Sequence, residues 1–174
     1  MRTHAGVAVL ALALLLGRAT AARAQTCTGN PCSVTNTASV TVGTMLRLSL
    51  SSATTPLTTP DETSFDNGFQ DDLGALTATV KANRGWTMSI QSGAASWTAS
   101  GAGARAAKPA ADLQWSTSGG APFTALTTSN ATLGTSASGT ASTVRIISYR
   151  TLWDYTLDTP GTYSLDVVFT VTAP

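Results

Sequence analysis

Histidine is nearly missing from this chain. His4 is the only one, and it lies at the start of a leader-like stretch, so the rest has no imidazole for general acid–base work, nucleophile activation or transition-metal binding at neutral pH. That excludes most hydrolase templates, and the sequence points to no enzyme, no catalytic residue and no cofactor. Charge is scarce as well, at 11% of residues. Once Arg2, Arg18 and Arg23 of the leader are set aside, the balance turns slightly acidic. Nucleic-acid binding leaves a basic patch, so no nucleic-acid partner is expected. Long apolar runs are missing too. Val7 to Leu16 falls short of the roughly 20 residues that a membrane-spanning helix needs, and no later stretch is a candidate, so no transmembrane segment is expected.

What the N-terminal residues do contain is an address. Arg2 and His4 precede the apolar run, and Ala22-Arg23-Ala24 supplies a small-x-small cleavage pattern. Residues 1–24 therefore read as a secretory signal peptide, which places the product outside the cytoplasm: secreted, periplasmic or on the cell surface. Cys27 follows Gln25-Thr26 and not the small pair that precedes a lipidated cysteine. Cys27 and Cys32, the only cysteines, then form a short N-terminal segment over residues 25–32. In an exported chain, two cysteines so close read as a disulfide. Four residues separate them, which is not the redox C-x-x-C spacing, and two thiols without histidine do not make a zinc site.

Residues 33–174 read as one all-β domain. In Ser33–Ser51 the even positions Val34, Ala38, Val40, Val42, Leu46, Leu48 and Leu50 are apolar and most odd positions polar. Strand side chains alternate between faces, but this run is too long for one ordinary strand, and Gly43 marks the break. At the other end, Tyr163, Leu165, Val167, Phe169 and Val171 alternate with Ser164, Asp166, Thr170 and Thr172, predicting a core-facing strand. Between these lie Leu76–Val80 and Trp86–Ile90, separated by the turn residues Asn83-Arg84-Gly85. A β-rich stretch over Thr143–Leu157 is expected to pair with the C-terminal strand, and Thr128–Ala141, nearly all Ser, Thr, Ala and Gly, reads as an exposed loop or weak edge strand. About seven to ten short strands with no helical spacing predict an antiparallel β-sandwich.

Three groups of residues compete for a functional role. Trp86, Trp97, Trp115 and Trp153 are either core or a sugar-stacking platform. Trp97 and Trp115 flank a glycine-rich loop and are the better candidates for an exposed ligand-stacking face. Pro56–Leu73 reads as a loop, and its acidic residues Asp61, Glu62, Asp66, Asp71 and Asp72 offer oxygen ligands of the kind calcium takes, although their spacing matches no known loop signature. Asp112, Asp154 and Asp158 are the carboxylates from which a glycosidase-like pair would be drawn, but nothing in their spacing selects two of them.

Asp158-Thr159-Pro160-Gly161-Thr162-Tyr163 resembles the corner before a late strand of immunoglobulin-like domains, in which a tyrosine hydroxyl caps the turn. Leu165 stands where antibody domains carry a cysteine. The resemblance is thus to bacterial secreted immunoglobulin-like sandwiches, and it implies an immunoglobulin-like arrangement. Trp86-Thr87-Met88 with Thr162–Thr172 is similar to WxL-type surface proteins, which attach to cell wall, with Met88 departing from the pattern. The leader, early cysteine pair and threonine-rich alternating terminus resemble pilin and spore-coat-like subunits. These likenesses imply a non-catalytic structural or adhesive surface protein that pairs strands with itself or with other surface proteins. The alternative is a carbohydrate-binding module for cell-wall or other glycans.

Overall fold

A computed structural model describes residues 24–174, and the proposed signal peptide lies outside the described residues except for Ala24. The chain divides into two compact units after Thr41. Within the first, Cys27 and Cys32 are joined by a disulfide with Cα atoms 5.8 Å apart. Its described residues form neither helix nor strand and are exposed.

The second unit is an antiparallel β-sandwich. Its strands are β1 (Leu46–Leu50), β2 (Phe69–Ala82), β3 (Trp86–Ser92), β4 (Thr98–Ser100), β5 (Leu113–Ser116), β6 (Thr124–Ala125), β7 (Ala131–Ser136), β8 (Thr140–Leu152), β9 (Thr162–Ser164) and β10 (Val167–Thr172), with one short helix, α1 (Glu62–Asn67). One sheet has the order β1-β2-β8-β5-β6, the second β10-β3-β7, and β4 pairs with β9 separately.

Alternation builds the core. Leu76, Ala78 and Val80 of β2 are buried on one face, and Trp86, Met88 and Ile90 of β3 meet them from the opposite sheet, joined by Leu113, Leu126, Leu133 and Ile147. Each such side chain contributes roughly 1.5–3 kcal/mol of burial. The chain passes between sheets at two turns that pack on each other. A Cβ at Gly139 would lie 2.8 Å from the Asn83 carbonyl carbon, and one at Gly85 would lie 3.0 Å from the Ala137 oxygen. Only glycine lets these turns approach so closely. Asn83 also fixes the entry to β1: its Oδ1 accepts from the Met45 N–H at 2.9 Å and its Nδ2 donates to the Gly43 carbonyl at 2.8 Å.

Several expectations change. Val34–Val42 is not a strand, and its valines are exposed, Val40 by 87%. Pro56–Leu73 is not all loop. Asp61 caps α1 by accepting from the Ser64 N–H while Ser64 Oγ accepts from the Asp61 N–H, Gly68 ends the helix in the left-handed region, and β2 begins at Phe69. The β8 strand pairs with β2 and β5, not with the C-terminal strand. That terminal stretch breaks into β9 and β10. Its apolar positions do face the core, but they are half-buried because β10 is an edge strand. Thr128–Ala141 supplies β7, the other edge of the same sheet.

Candidate binding groove

Because β10 closes one sheet and β1 the other, the sandwich has a flank where no ladder joins the two. The registers place the start of β1 beside Ala82 and the end of β10 beside Thr87, so these ends meet at the β2–β3 turn. The two strands come within 8 Å of each other, Cα to Cα. Toward Leu50 and Val167 the flank opens into a groove of about 850 Å³. Its floor includes Leu76, Trp97, Leu113 and Tyr149; Leu165, Val167 and Phe169 form one wall and the extended segment 52–60 the other. Burial in this apolar floor pushes the Tyr149 phenol well above its ordinary pKa. Trp97 and Thr151 line the groove, and among the described residues their Nε1 and Oγ1 are buried without a hydrogen-bond partner.

The tryptophans do not form the exposed platform expected of Trp97 and Trp115. Those two side chains are only 6% and 8% exposed. Both indoles belong to the buried hydrophobic core. Trp86 is core, while Trp153, expected to be core, is half-buried at the groove. The exposed aromatic face lies elsewhere: Tyr155 stacks on Phe65 with centroids 4.9 Å apart, and Phe65 meets Trp153 at 5.8 Å. Sequence reasoning missed this cluster, because Phe65 reaches it only through α1. Tyr155 Oη donates to Asp66 Oδ1 at 3.1 Å, and loss of hydration, with that carboxylate beside it, raises the Tyr155 pKa.

A buried charge cluster lies against Trp153, which lines the groove. Lys108 is fully buried, and its Nζ donates to the Leu152 carbonyl at 2.7 Å and to Asp158 Oδ1 at 3.0 Å, with Asp112 Oδ2 at 3.3 Å. The Trp153 ring lies 4.4 Å from Nζ, an added attraction between cation and π face. Arg105 reaches Asp158 Oδ1 at 3.0 Å and Asp112 Oδ2 at 3.3 Å from the solvent side. Asp158 Oδ2 accepts from the Asp154 N–H at 2.9 Å. Next to it, Tyr163 Oη donates to the Thr159 carbonyl at 2.6 Å and accepts from the Arg105 N–H at 3.0 Å. The hydroxyl therefore ties down its own corner.

Of the three candidate carboxylates, Asp112 and Asp158 come together, sharing two cations. Asp154 stands apart: Thr156 donates to it from Oγ1 and N–H, and these bonds hold its pKa below the ordinary value. The acidic residues of Pro56–Leu73 are engaged separately. Asp61 caps α1, and the Ser64 donors lower its pKa. Asp71 forms a two-pronged pair with Arg150 at 2.6 and 2.9 Å, and Asp72 accepts from Thr58. Among the described residues no group of three or more metal-ligating side chains gathers, and no helix is long and apolar enough to cross a membrane. No family model matches the chain, and no match was found among curated proteins.

Proposed function

We propose that the protein is an exported, non-catalytic β-sandwich that serves as a structural or adhesive surface protein, assembling by strand pairing with copies of itself or with other surface proteins. The observation that carries this reading is the apolar groove beside the unpaired edge of β10. Proteins ordinarily blunt such edges with charge, proline or a covering element, and β10 itself, VVFTVT, carries no charge and no proline. An extended segment laid along it gains main-chain hydrogen bonds from the edge and pockets for alternate side chains from the groove. The disulfide and the leader-like start support an oxidising compartment outside the cytoplasm. Engagement of Asp112, Asp154 and Asp158 in turns and ion pairs supports a structural role for those carboxylates over a catalytic one.

A carbohydrate-binding module is the second reading, favoured by the Phe65–Tyr155–Trp153 cluster, of which Trp153 lines the groove. Two measurements on the mature protein separate them. An assembly subunit sediments as concentration-dependent oligomers and shows no change in tryptophan fluorescence with cell-wall or plant glycans. A sugar binder stays monomeric, and its fluorescence saturates with one of those glycans.

A further inference from the structure

We propose that copies of this chain join end to end, the acidic end of one sandwich docking on the basic end of the next. The inference rests on the assembly reading above and adds to it a contact that does not use the β10 edge. Its ground is where the exposed charges lie. Among the described residues the exposed cationic side chains are Arg47, Lys81 and Arg84, and the exposed carboxylate side chains are Asp61, Glu62, Asp66, Asp154 and Asp166. Arg47 and Lys81 are register partners of β1 and β2, and Arg84 lies in the turn that follows β2. Asp61, Glu62 and Asp66 belong to α1 and its cap, which precede β2, and Asp154 follows Leu152, the register partner of Phe69. Asp166 precedes Val167, which pairs with Ser92 at the end of β3 away from that turn. Among the described residues, then, the exposed positive side chains gather at one end of the ladders and the exposed negative ones at the other. Phe69 to Lys81 spans up to about 40 Å of strand. That is several times the Debye length of about 8 Å at physiological salt, so neither end neutralises the other.

Nothing among the described residues offsets the basic end. Arg47 and Lys81 stand directly opposite each other in an antiparallel pair, an arrangement of like charges that destabilises a sheet. The ion pairs among the described residues engage neither of them, nor Arg84, and Gln25 to Leu46 contains no Asp or Glu. Each end also exposes apolar side chains. Val144 pairs with Thr79, two residues before Lys81, and so shares its face, with the exposed Ile146 next along β8. At the acidic end Tyr155 and Leu157 are exposed, and the Tyr155 hydroxyl bonds to Asp66. An apolar centre with a polar rim is the make-up of a protein interface, and the two rims here have opposite sign. Like ends repel, which disfavours a two-fold dimer. Opposite ends make a heterologous contact that repeats from copy to copy and grows into a filament or a ring.

The test is sedimentation velocity of the full mature protein over a range of concentrations and salt. We expect oligomers that grow with concentration at about 0.05 M salt, and association weakened more than about 10-fold at about 0.5 M. Two double variants then disable one end each. Glu62→Lys with Asp66→Lys, four apart on one face of α1, spoils the acidic end, and Lys81→Glu with Arg84→Glu spoils the basic end. Each variant alone should associate more than about 100-fold more weakly than wild type, with far-ultraviolet circular dichroism unchanged, because like charges then meet. An equal mixture of the two should form a one-to-one complex of near wild-type affinity that grows no further, since it holds one intact acidic end and one intact basic end. Oligomers that persist at high salt and in both variants would overturn the end-to-end contact and leave strand pairing at the β10 edge in place. Loss in each variant without a complex on mixing would overturn the pairing of these two ends. A wild-type monomer at every concentration and salt would sink this inference together with the assembly reading.

Discussion

Lys108 and Arg105 donate to the same oxygen of Asp158 at the same 3.0 Å, yet their removal should have very different costs. The Lys108 side chain is 0% exposed and that of Arg105 22%. Replacing Lys108 with Met keeps most of the stem but leaves the Leu152 carbonyl without its donor and strips one buried partner from Asp158. Breaking a buried ion pair in this way costs about 3–5 kcal/mol. Arg105→Met removes a pair that water can partly replace, and Asp158 keeps Lys108 and the Asp154 N–H, so about 1 kcal/mol is expected. Urea unfolding followed by tryptophan fluorescence reads the difference. With an m-value of about 1–3 kcal/mol per molar, a gap of about 2–4 kcal/mol separates the midpoints by roughly 0.7 M or more. The double variant Lys108→Met with Asp158→Leu should recover much of the loss, since it removes both buried charges together. Equal midpoints for the two single variants would refute the argument that burial, and not the contact itself, sets the cost.

Other outcomes follow from the same geometry. Phe169→Ala in the half-buried edge strand should cost about 2–3 kcal/mol, less than the about 3–5 kcal/mol of Ile90→Ala in the fully buried central strand, and thermal unfolding of both variants checks the order. Tyr163→Phe should cost about 1–1.5 kcal/mol by cutting the hydroxyl's bonds to Thr159 and Arg105, measured by the same urea titration. Reduction of Cys27–Cys32 should leave the unfolding midpoint of the sandwich nearly unchanged, because a six-residue loop in a separate unit constrains only itself. Asp61 and Asp154 have folded-state pKa values below their ordinary ones, so the stability they contribute is present above the usual carboxylate range near 4 and is lost as pH falls through their folded values. Acid titration of Asp61→Asn should show a weaker loss than wild type over that window.

The alternating strands were legible because each sets one face against solvent: the periods of Leu76–Val80, Trp86–Ile90 and Tyr163–Val171 all survive in the fold. Pairing order was not legible. The partner of β2 lies some 70 residues away in β8, as in Leu76↔Ile147, and no local signal specifies so distant a register. Helix α1 escaped notice because six residues cannot show a 3.6-residue period, and its one cue was the reciprocal Asp61/Ser64 cap. Lysine ordinarily lies at the surface, and Lys108 is buried only because Asp158 meets it from fifty residues downstream. The groove was invisible for a related reason. Its floor draws on Leu76, Trp97, Leu113 and Tyr149, which the chain assembles only when the sheets stack.

The β2–β8 ladder, the longest in the molecule, also sets the order of events during synthesis. The β2 strand has its outer partner β1 close upstream, but its inner partner ends at Leu152. Until that residue has left the ribosome, Leu76, Ala78 and Val80 lack the neighbouring strand that completes their cover, and the first half of the sequence has no sandwich to fold into. Contacts between residues so far apart make folding slow, because the intervening chain must be closed into a loop before they form. A growing chain of this kind stays open along most of its length, the condition in which a polypeptide can be threaded through a narrow channel before it commits to a compact form.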